Sequence, residues 1–167
     1  TFAGIVDVNE GATASPSASI TTAFVEVYTT GDRSGSITVT ANTPGGMASR
    51  NPQRWVDGTK GLLSSHDAYF ESGAATNWIT FALASPQTFT GFKVYLDGYE
   101  PLLVNFYGVS SGGALTLLKG SFALSNATTQ THTFANSTAF PSYRLAPTGA
   151  NGPRTSYVTE VEFILAP

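Results

Sequence analysis

The sequence predicts an all-β domain, an antiparallel sandwich or barrel. Two observations predict it: apolar and polar residues alternate with a period of two in short runs, and Gly, Pro, Asn and Asp separate those runs. Stretches with a helical period are missing. The length of 167 residues fits one domain with one hydrophobic core.

The chain begins with a segment of different character. Residues 1–22 are rich in Ser, Ala and Thr and show no sustained period of 2 or 3.6, which predicts an N-terminal arm. Residues 23–167 are predicted to form the sandwich. Because ordering an arm costs backbone entropy, we expect it to pack either on another subunit or on its own domain.

Nine strands are predicted from residue 23 onward. In the last of them, Val161, Phe163 and Leu165 are expected to be buried, while Glu160 and Glu162 face the other way. Pro86 is expected to separate the third strand from the fourth, and SSGG to close a hairpin between the fifth and sixth. In chain order, the predicted strands are FVEVY, SITVT, WITFALA, FKVYL, LLVNFYGV, ALTLLKG, THTFA, SYRLA and YVTEVEFIL.

The composition excludes several classes of function. Charged residues make up 11% of the chain and the net charge is −3, so no basic surface is available for nucleic acid or anionic lipid. The apolar runs are far shorter than the ~20 residues that cross a bilayer, so no membrane insertion is expected. The absence of cysteine excludes disulfides and thiolate zinc sites. The start of the chain shows no secretory signal, and we expect a complete cytosolic product; the alternative is a chain from which a signal has already been removed.

The order of several short motifs is informative. WVDGTKG is followed by WITFAL, then by FTGFKVYLDGYEPLLVNFYGVSSGGALTLL, YRLAP and VTEVEF. Over residues 48–165 this order resembles the galactose-binding-like sandwich of coagulation-factor type C, or discoidin, domains and of related carbohydrate-binding modules. The resemblance implies a jelly-roll β-sandwich. The chain departs from the family in a long polar insert between Gly58 and Trp78, and at Leu115, near which the family has an aromatic residue.

The resemblance also implies a structural calcium ion under the Asp-Gly loop. By position, its ligands are Asp57, Thr59 and Glu160, with Glu162 in reserve, and all of them offer the oxygen donors that a hard cation prefers. The alternative is a metal-free Asp-Gly turn with the two glutamates on a solvated strand face. A catalytic carboxylate pair is the weaker interpretation of these glutamates.

Glycan binding in the resembled modules uses loops at one end of the sandwich, where an aromatic ring stacks on the sugar and polar side chains bind its hydroxyls. Each residue that fits such a loop is also compatible with an ordinary loop position. The candidate carbohydrate-binding residues are His66, Tyr99, Asn151, Arg154 and Tyr157.

A possible catalytic motif is the G-x-S-x-G sequence formed by residues 108–112. A nucleophile elbow requires a helix after the serine, whereas the residues that follow Ser110 are predicted to form a strand. We therefore expect a hairpin, and we expect that the protein is not an enzyme.

Two classes of function remain. The first is a structural assembly component of a virion, such as a phage tail, baseplate or decoration protein, that also contacts host glycans. It would be made in the host cytoplasm and would bind other virion subunits, or itself, through the N-terminal arm. The alternative is a self-contained glycan-binding adhesion module that is extracellular or located at a cell surface.

Overall fold

A computed structural model describes residues 28–42, 51–60, 69–71, 78–99, 102–125, 129–148 and 155–167. These residues form two antiparallel sheets, which confirms the predicted β-sandwich. The strands are β1 (Ile37–Asn42), β2 (Tyr69–Glu71), β3 (Trp78–Gln87), β4 (Phe89–Tyr99), β5 (Leu102–Val109), β6 (Leu115–Leu124), β7 (Thr129–Thr133), β8 (Phe140–Pro147) and β9 (Thr155–Leu165), with a 3₁₀ helix at Pro52–Val56. No helix within the described residues is long and apolar enough to span a membrane.

The two sheets draw their strands from distant parts of the chain. The five-stranded sheet has the order β1-β3-β8-β5-β6, and the four-stranded sheet has the order β2-β9-β4-β7. The C-terminal strand β9 therefore lies inside its sheet, between β2 and β4. Residues that β9 carries are consequently held by neighbours from several distant segments.

Aromatic side chains fill the space between the sheets. Phe163 of β9 stacks on Phe89 of the same sheet, with ring centroids 4.5 Å apart. It also packs in an edge-to-face arrangement on Phe81 of the opposite sheet, with ring centroids 5.2 Å apart. Tyr143 of β8 stacks on Phe106 of β5 at 5.5 Å. All five side chains are buried, as the alternation of apolar residues along these strands predicts.

The 3₁₀ helix closes one open side of the sandwich. The Gln53 amide group donates to the carbonyl of Ile37 at 2.5 Å and accepts from the N–H of Val39 at 2.9 Å, so it pairs with the free edge of β1 as a strand would. Trp55 and Val56 are fully buried in the core. The helix thereby fixes the start of the loop at residues 57–60, against β9.

Most of the predicted strands are confirmed, with two differences. Residues 24–27 of the predicted strand FVEVY lie outside the described residues, and its last residue, Tyr28, belongs to no strand. Strand β2 was not predicted, because it lies within the segment that we interpreted as a polar insert. Pro86 does not separate two strands, because β3 continues to Gln87. The pairing of β3 with β8 is irregular between Ala82 and Gln87, so the missing N–H of Pro86 costs no ladder hydrogen bond. The predicted arm at residues 1–22 lies outside the described residues.

Candidate functional site

Backbone pairing places two of the candidate sugar-binding positions at one end of the sandwich. Tyr99 is the last residue of β4 and pairs with Ser156 of β9, while Tyr157 pairs with Tyr69 of β2. The end of β4 and the start of β9 thus lie side by side. The other three predicted residues, His66, Asn151 and Arg154, lie outside the described residues.

Glu160, the predicted late calcium ligand, lies in a buried ion pair. Its carboxylate oxygen Oε1 pairs with Nη2 of Arg33, and both side chains are fully inaccessible to solvent. The other oxygen, Oε2, accepts a hydrogen bond from the N–H of Gly58 at 3.2 Å. Both oxygens of the carboxylate are therefore engaged by groups of the chain itself.

The guanidinium of Arg33 has further partners. Its Nη1 donates to the carbonyl of Val161 at 2.6 Å, and its Nε donates to the carbonyl of Gly31 at 3.1 Å. Burial lowers the pKa of Arg33 to about 10, although the carboxylate of Glu162 and other nearby acids favour its charged form. The group is thus still a cation at neutral pH, held inside the protein.

Glu162 lies in a second, partly covered cluster. Its carboxylate forms an ion pair with Lys60 at 2.6 Å and accepts a hydrogen bond from the Tyr95 hydroxyl at 2.9 Å. The Lys60 ammonium also lies 4.8 Å from the centre of the Tyr95 ring. Burial opposes ionisation of Glu162, but the bonds from Lys60 and Tyr95 and the charges of Lys60 and Arg33 outweigh it, so the net pKa of this carboxyl is lowered.

These contacts correct one sequence interpretation. Glu160 and Glu162 do point away from the core, but they are 0% and 3% exposed, so this face of β9 is not solvated. The Asp57–Lys60 loop and the segment before β1 supply the groups that pair with it. Sequence periodicity could not show this, because Gly58 and Glu160 are 102 positions apart.

The other two predicted calcium ligands lie in that loop. Oδ1 of Asp57 accepts from the N–H of Thr59 at 2.9 Å, and Thr59 is exposed. Among the described residues, no group of three or more His, Cys, Asp or Glu side chains is arranged to hold a metal ion. The predicted calcium site at Asp57, Thr59 and Glu160 stays a prediction, and the contacts of Glu160 fit it poorly.

The outer face of the five-stranded sheet carries a cluster that sequence analysis missed. Arg144 of β8 lies over the Trp78 ring at 4.6 Å and donates from Nε to the Thr80 hydroxyl at 3.2 Å. Tyr107 of β5 is the register partner of Arg144. The only sequence signal was the outward position of each residue on its strand, which does not reveal which strands are neighbours.

The G-x-S-x-G motif is part of a hairpin, as predicted. Ser110 follows β5, its Oγ accepts from the N–H of Ala114 at 3.1 Å, and β6 begins at the next residue, Leu115. The one histidine within the described residues, His132, is half-buried against Phe122, and this burial lowers its pKa to about 4. The strand–turn–strand geometry is therefore not that of a nucleophile elbow.

Comparison with known proteins supports the fold class. No protein-family model matches the chain, and no curated protein sequence matches it. Many solved structures match it over most of its length, among them the following three. A pectin-binding carbohydrate-binding module has a TM-score of 0.59 and 14% identity, covering 79% of this chain and 92% of that one.

The family 32 carbohydrate-binding module of Streptococcus pneumoniae EndoD has a TM-score of 0.56 and 14% identity, covering 78% of this chain and 96% of the module. The family 32 module of AlyQ, solved with 4,5-unsaturated mannuronic acid, has a TM-score of 0.56 and 21% identity, covering 77% and 95%. The chain therefore has the fold of carbohydrate-binding modules, the galactose-binding-like β-sandwich. At these identities the likeness concerns the fold.

Proposed function

We propose that this protein is a non-catalytic glycan-binding module. The observation that supports it is the combination of a fold shared with carbohydrate-binding modules and the meeting of β4 and β9 at one end, which brings the backbones of Tyr99 and Tyr157 to neighbouring strands. Aromatic residues at such an end can stack on the apolar face of a sugar ring. Of our two sequence hypotheses, the adhesion module is thus the better supported.

The ligand is a glycan reached through that end of the sandwich. His66, Asn151 and Arg154 remain the proposed polar contacts, because imidazole, amide and guanidinium groups can bind sugar hydroxyls or carboxylates. Among the structural neighbours, one binds pectin and another was solved with a mannuronic acid derivative. These two neighbours make acidic glycans the first ligands to test. Galactose-containing glycans are the second, because a further neighbour was solved with GalNAc-β-1,3-galactose. A module of this kind would act outside the cell or at its surface.

The binding test compares three tyrosine variants. Retardation in gels that contain pectin, alginate or a galactose-terminated polysaccharide measures binding of the wild type. Tyr99→Ala and Tyr157→Ala should weaken it at least tenfold, which corresponds to about 1.4 kcal/mol. Tyr107→Ala is the matched control, since Tyr107 lies on the outer face of the other sheet and should leave binding unchanged.

Two results would contradict the binding proposal. One is the absence of binding to a broad glycan array by the folded wild type. The other is binding as tight as that of the wild type by folded Tyr99→Ala and Tyr157→Ala variants. Release of reducing sugar from a bound polysaccharide would contradict the non-catalytic part.

The virion hypothesis can be tested separately. The solved structures named above are carbohydrate-binding modules, and no contact among the described residues favours a virion subunit. Deletion of residues 1–22 should leave glycan binding and the oligomeric state unchanged. If the deletion instead abolishes a defined assembly while the sandwich stays folded, the structural role is favoured.

A further inference from the structure

Three oxygen acceptors surround the guanidinium of Arg33. They are the carbonyl of Gly31, the carbonyl of Val161 and the carboxylate of Glu160. Main-chain carbonyls and carboxylates are also the donors that proteins use for calcium. The acceptors come from the segment before β1 and from β9, on both sides of the loop where a structural cation was expected.

The same loop packs tightly on the Arg33 segment. The N–H of Arg33 donates to the carbonyl of Val56 at 2.8 Å. Gly58 has a φ of 84°, and a Cβ there would lie 2.8 Å from the carbonyl carbon of Gly31. The guanidinium is therefore enclosed by the loop that it helps to hold, with its side chain fully inaccessible to solvent.

We propose that the Arg33 guanidinium takes the place of the structural cation at the Asp57–Lys60 loop, so that this loop is ordered without a divalent metal ion. Each of the three acceptors already binds a nitrogen of Arg33, and Oε2 of Glu160 binds the N–H of Gly58. A divalent ion would have to displace these groups and would be repelled by the positive charge of Arg33. The proposal does not depend on glycan binding.

Loss of the guanidinium should turn the position into a metal site. The buried carboxylate of Glu160 would then face the two carbonyls without a countercharge, and the carboxylates of Asp32 and Asp57 act on the same position. Carbonyl and carboxylate oxygens with an excess of negative charge favour calcium. We therefore expect Arg33→Ala to gain a calcium response that the wild type lacks.

Thermal melting of the wild type in chelator and in millimolar calcium is the first test. If Arg33 replaces the cation, the wild type has the same melting temperature in chelator and in calcium. A calcium ion that binds only the folded state at 100 times its Kd would instead raise the melting temperature of a chain of this size by roughly 5–10 °C. An increase of this kind in the wild type would overturn the proposal and support the calcium prediction.

The second test is the variant. Arg33→Ala should melt roughly 10 °C lower than the wild type in chelator, because it leaves a buried carboxylate unpaired. Calcium should recover a substantial part of this loss, and terbium should give luminescence sensitised by Trp55, two residues before Asp57. The double variant Arg33→Ala, Glu160→Gln should lose the recovery.

Arg144→Ala is the matched control, since Arg144 lies on the outer face of the other sheet; it should show neither the large decrease nor a calcium response. If Arg33→Ala fails to fold, Arg33→Gln, which retains most of the side-chain volume, is measured in the same way. Melting of the Arg33 variant at the wild-type temperature would overturn the proposal. A lower melting temperature that calcium and terbium leave unchanged would also overturn it, since the guanidinium would then be an ordinary ion-pair partner.

Discussion

Replacement of Phe163 by alanine tests the contact between the two sheets. Phe163 is 2% exposed, stacks on Phe89 within the four-stranded sheet and meets Phe81 of the five-stranded sheet edge to face. Burial of a phenylalanine side chain contributes about 2–3 kcal/mol. Each of the two aromatic pairs adds about 0.5–1.5 kcal/mol. We expect Phe163→Ala to lower the free energy of unfolding by about 3–5 kcal/mol, in line with phenylalanine truncations in other cores.

Urea unfolding followed by circular dichroism measures this loss. The dependence of the unfolding free energy on urea concentration should stay the same, while the midpoint falls. Leu117→Ala is the control, because Leu117 is 56% exposed on β6 and its truncation should change stability by less than about 0.5 kcal/mol. A loss below about 1 kcal/mol for Phe163→Ala would refute the assignment of Phe163 to the centre of the core.

Three further predictions concern the motif serine, a close contact and a half-buried histidine. Ser110→Ala should change no hydrolytic activity and should cost at most about 1 kcal/mol, the value of its turn hydrogen bond to Ala114; an esterase activity that disappears in this variant would show that the protein is an enzyme. Gly108→Ala should destabilise the protein by about 1–3 kcal/mol, because the new Cβ would lie 2.4–2.6 Å from the Phe140 ring, and unchanged urea midpoints would contradict this packing. Burial lowers the pKa of His132 to about 4, so between pH 6.5 and 4 the unfolded chain binds more protons than the folded one. The free energy of unfolding should therefore decrease as the pH is lowered from 6.5 to 4. After allowance for its partial exposure this loss is roughly 1–2 kcal/mol, and the stability difference between wild type and His132→Phe should vary with pH by that amount; a difference independent of pH would contradict it.

Alternation of apolar residues predicts the strands whose two faces differ in polarity. Phe92, Val94 and Leu96 in β4 follow it, as do Val161 and Phe163 in β9. Alternation does not predict a strand that forms only because it pairs with a neighbouring strand. The three residues of β2 form a strand because they pair with the start of β9, and three residues are too few to show an alternation of apolar and polar positions.

Among the candidate sites, those formed by residues close together in the sequence are predicted, and those formed by distant segments are not. The turn at Ser110 depends only on residues next to it in the sequence, so the sequence predicts it. The burial of Glu160 is not local, because Arg33 and Gly58 reach it across more than 100 positions of the sequence. The pair of Trp78 and Arg144 depends on β3 lying beside β8, which the order of strands along the chain does not indicate.

The position of β9 has a consequence for the biosynthesis of the protein. This strand, the nearest to the C-terminus of the chain, lies inside the four-stranded sheet and supplies Val161 and Glu160 to the N-terminal segment around Arg33. Strands β1 to β8 can therefore pair only in part until β9 has emerged from the ribosome, and until then the segment around Arg33 lacks its partners Glu160 and Val161. Such distant contacts make folding slow, and the incomplete chain exposes apolar surface in the meantime. A chain that ends before β9 should consequently aggregate or be degraded, not persist as a smaller folded domain.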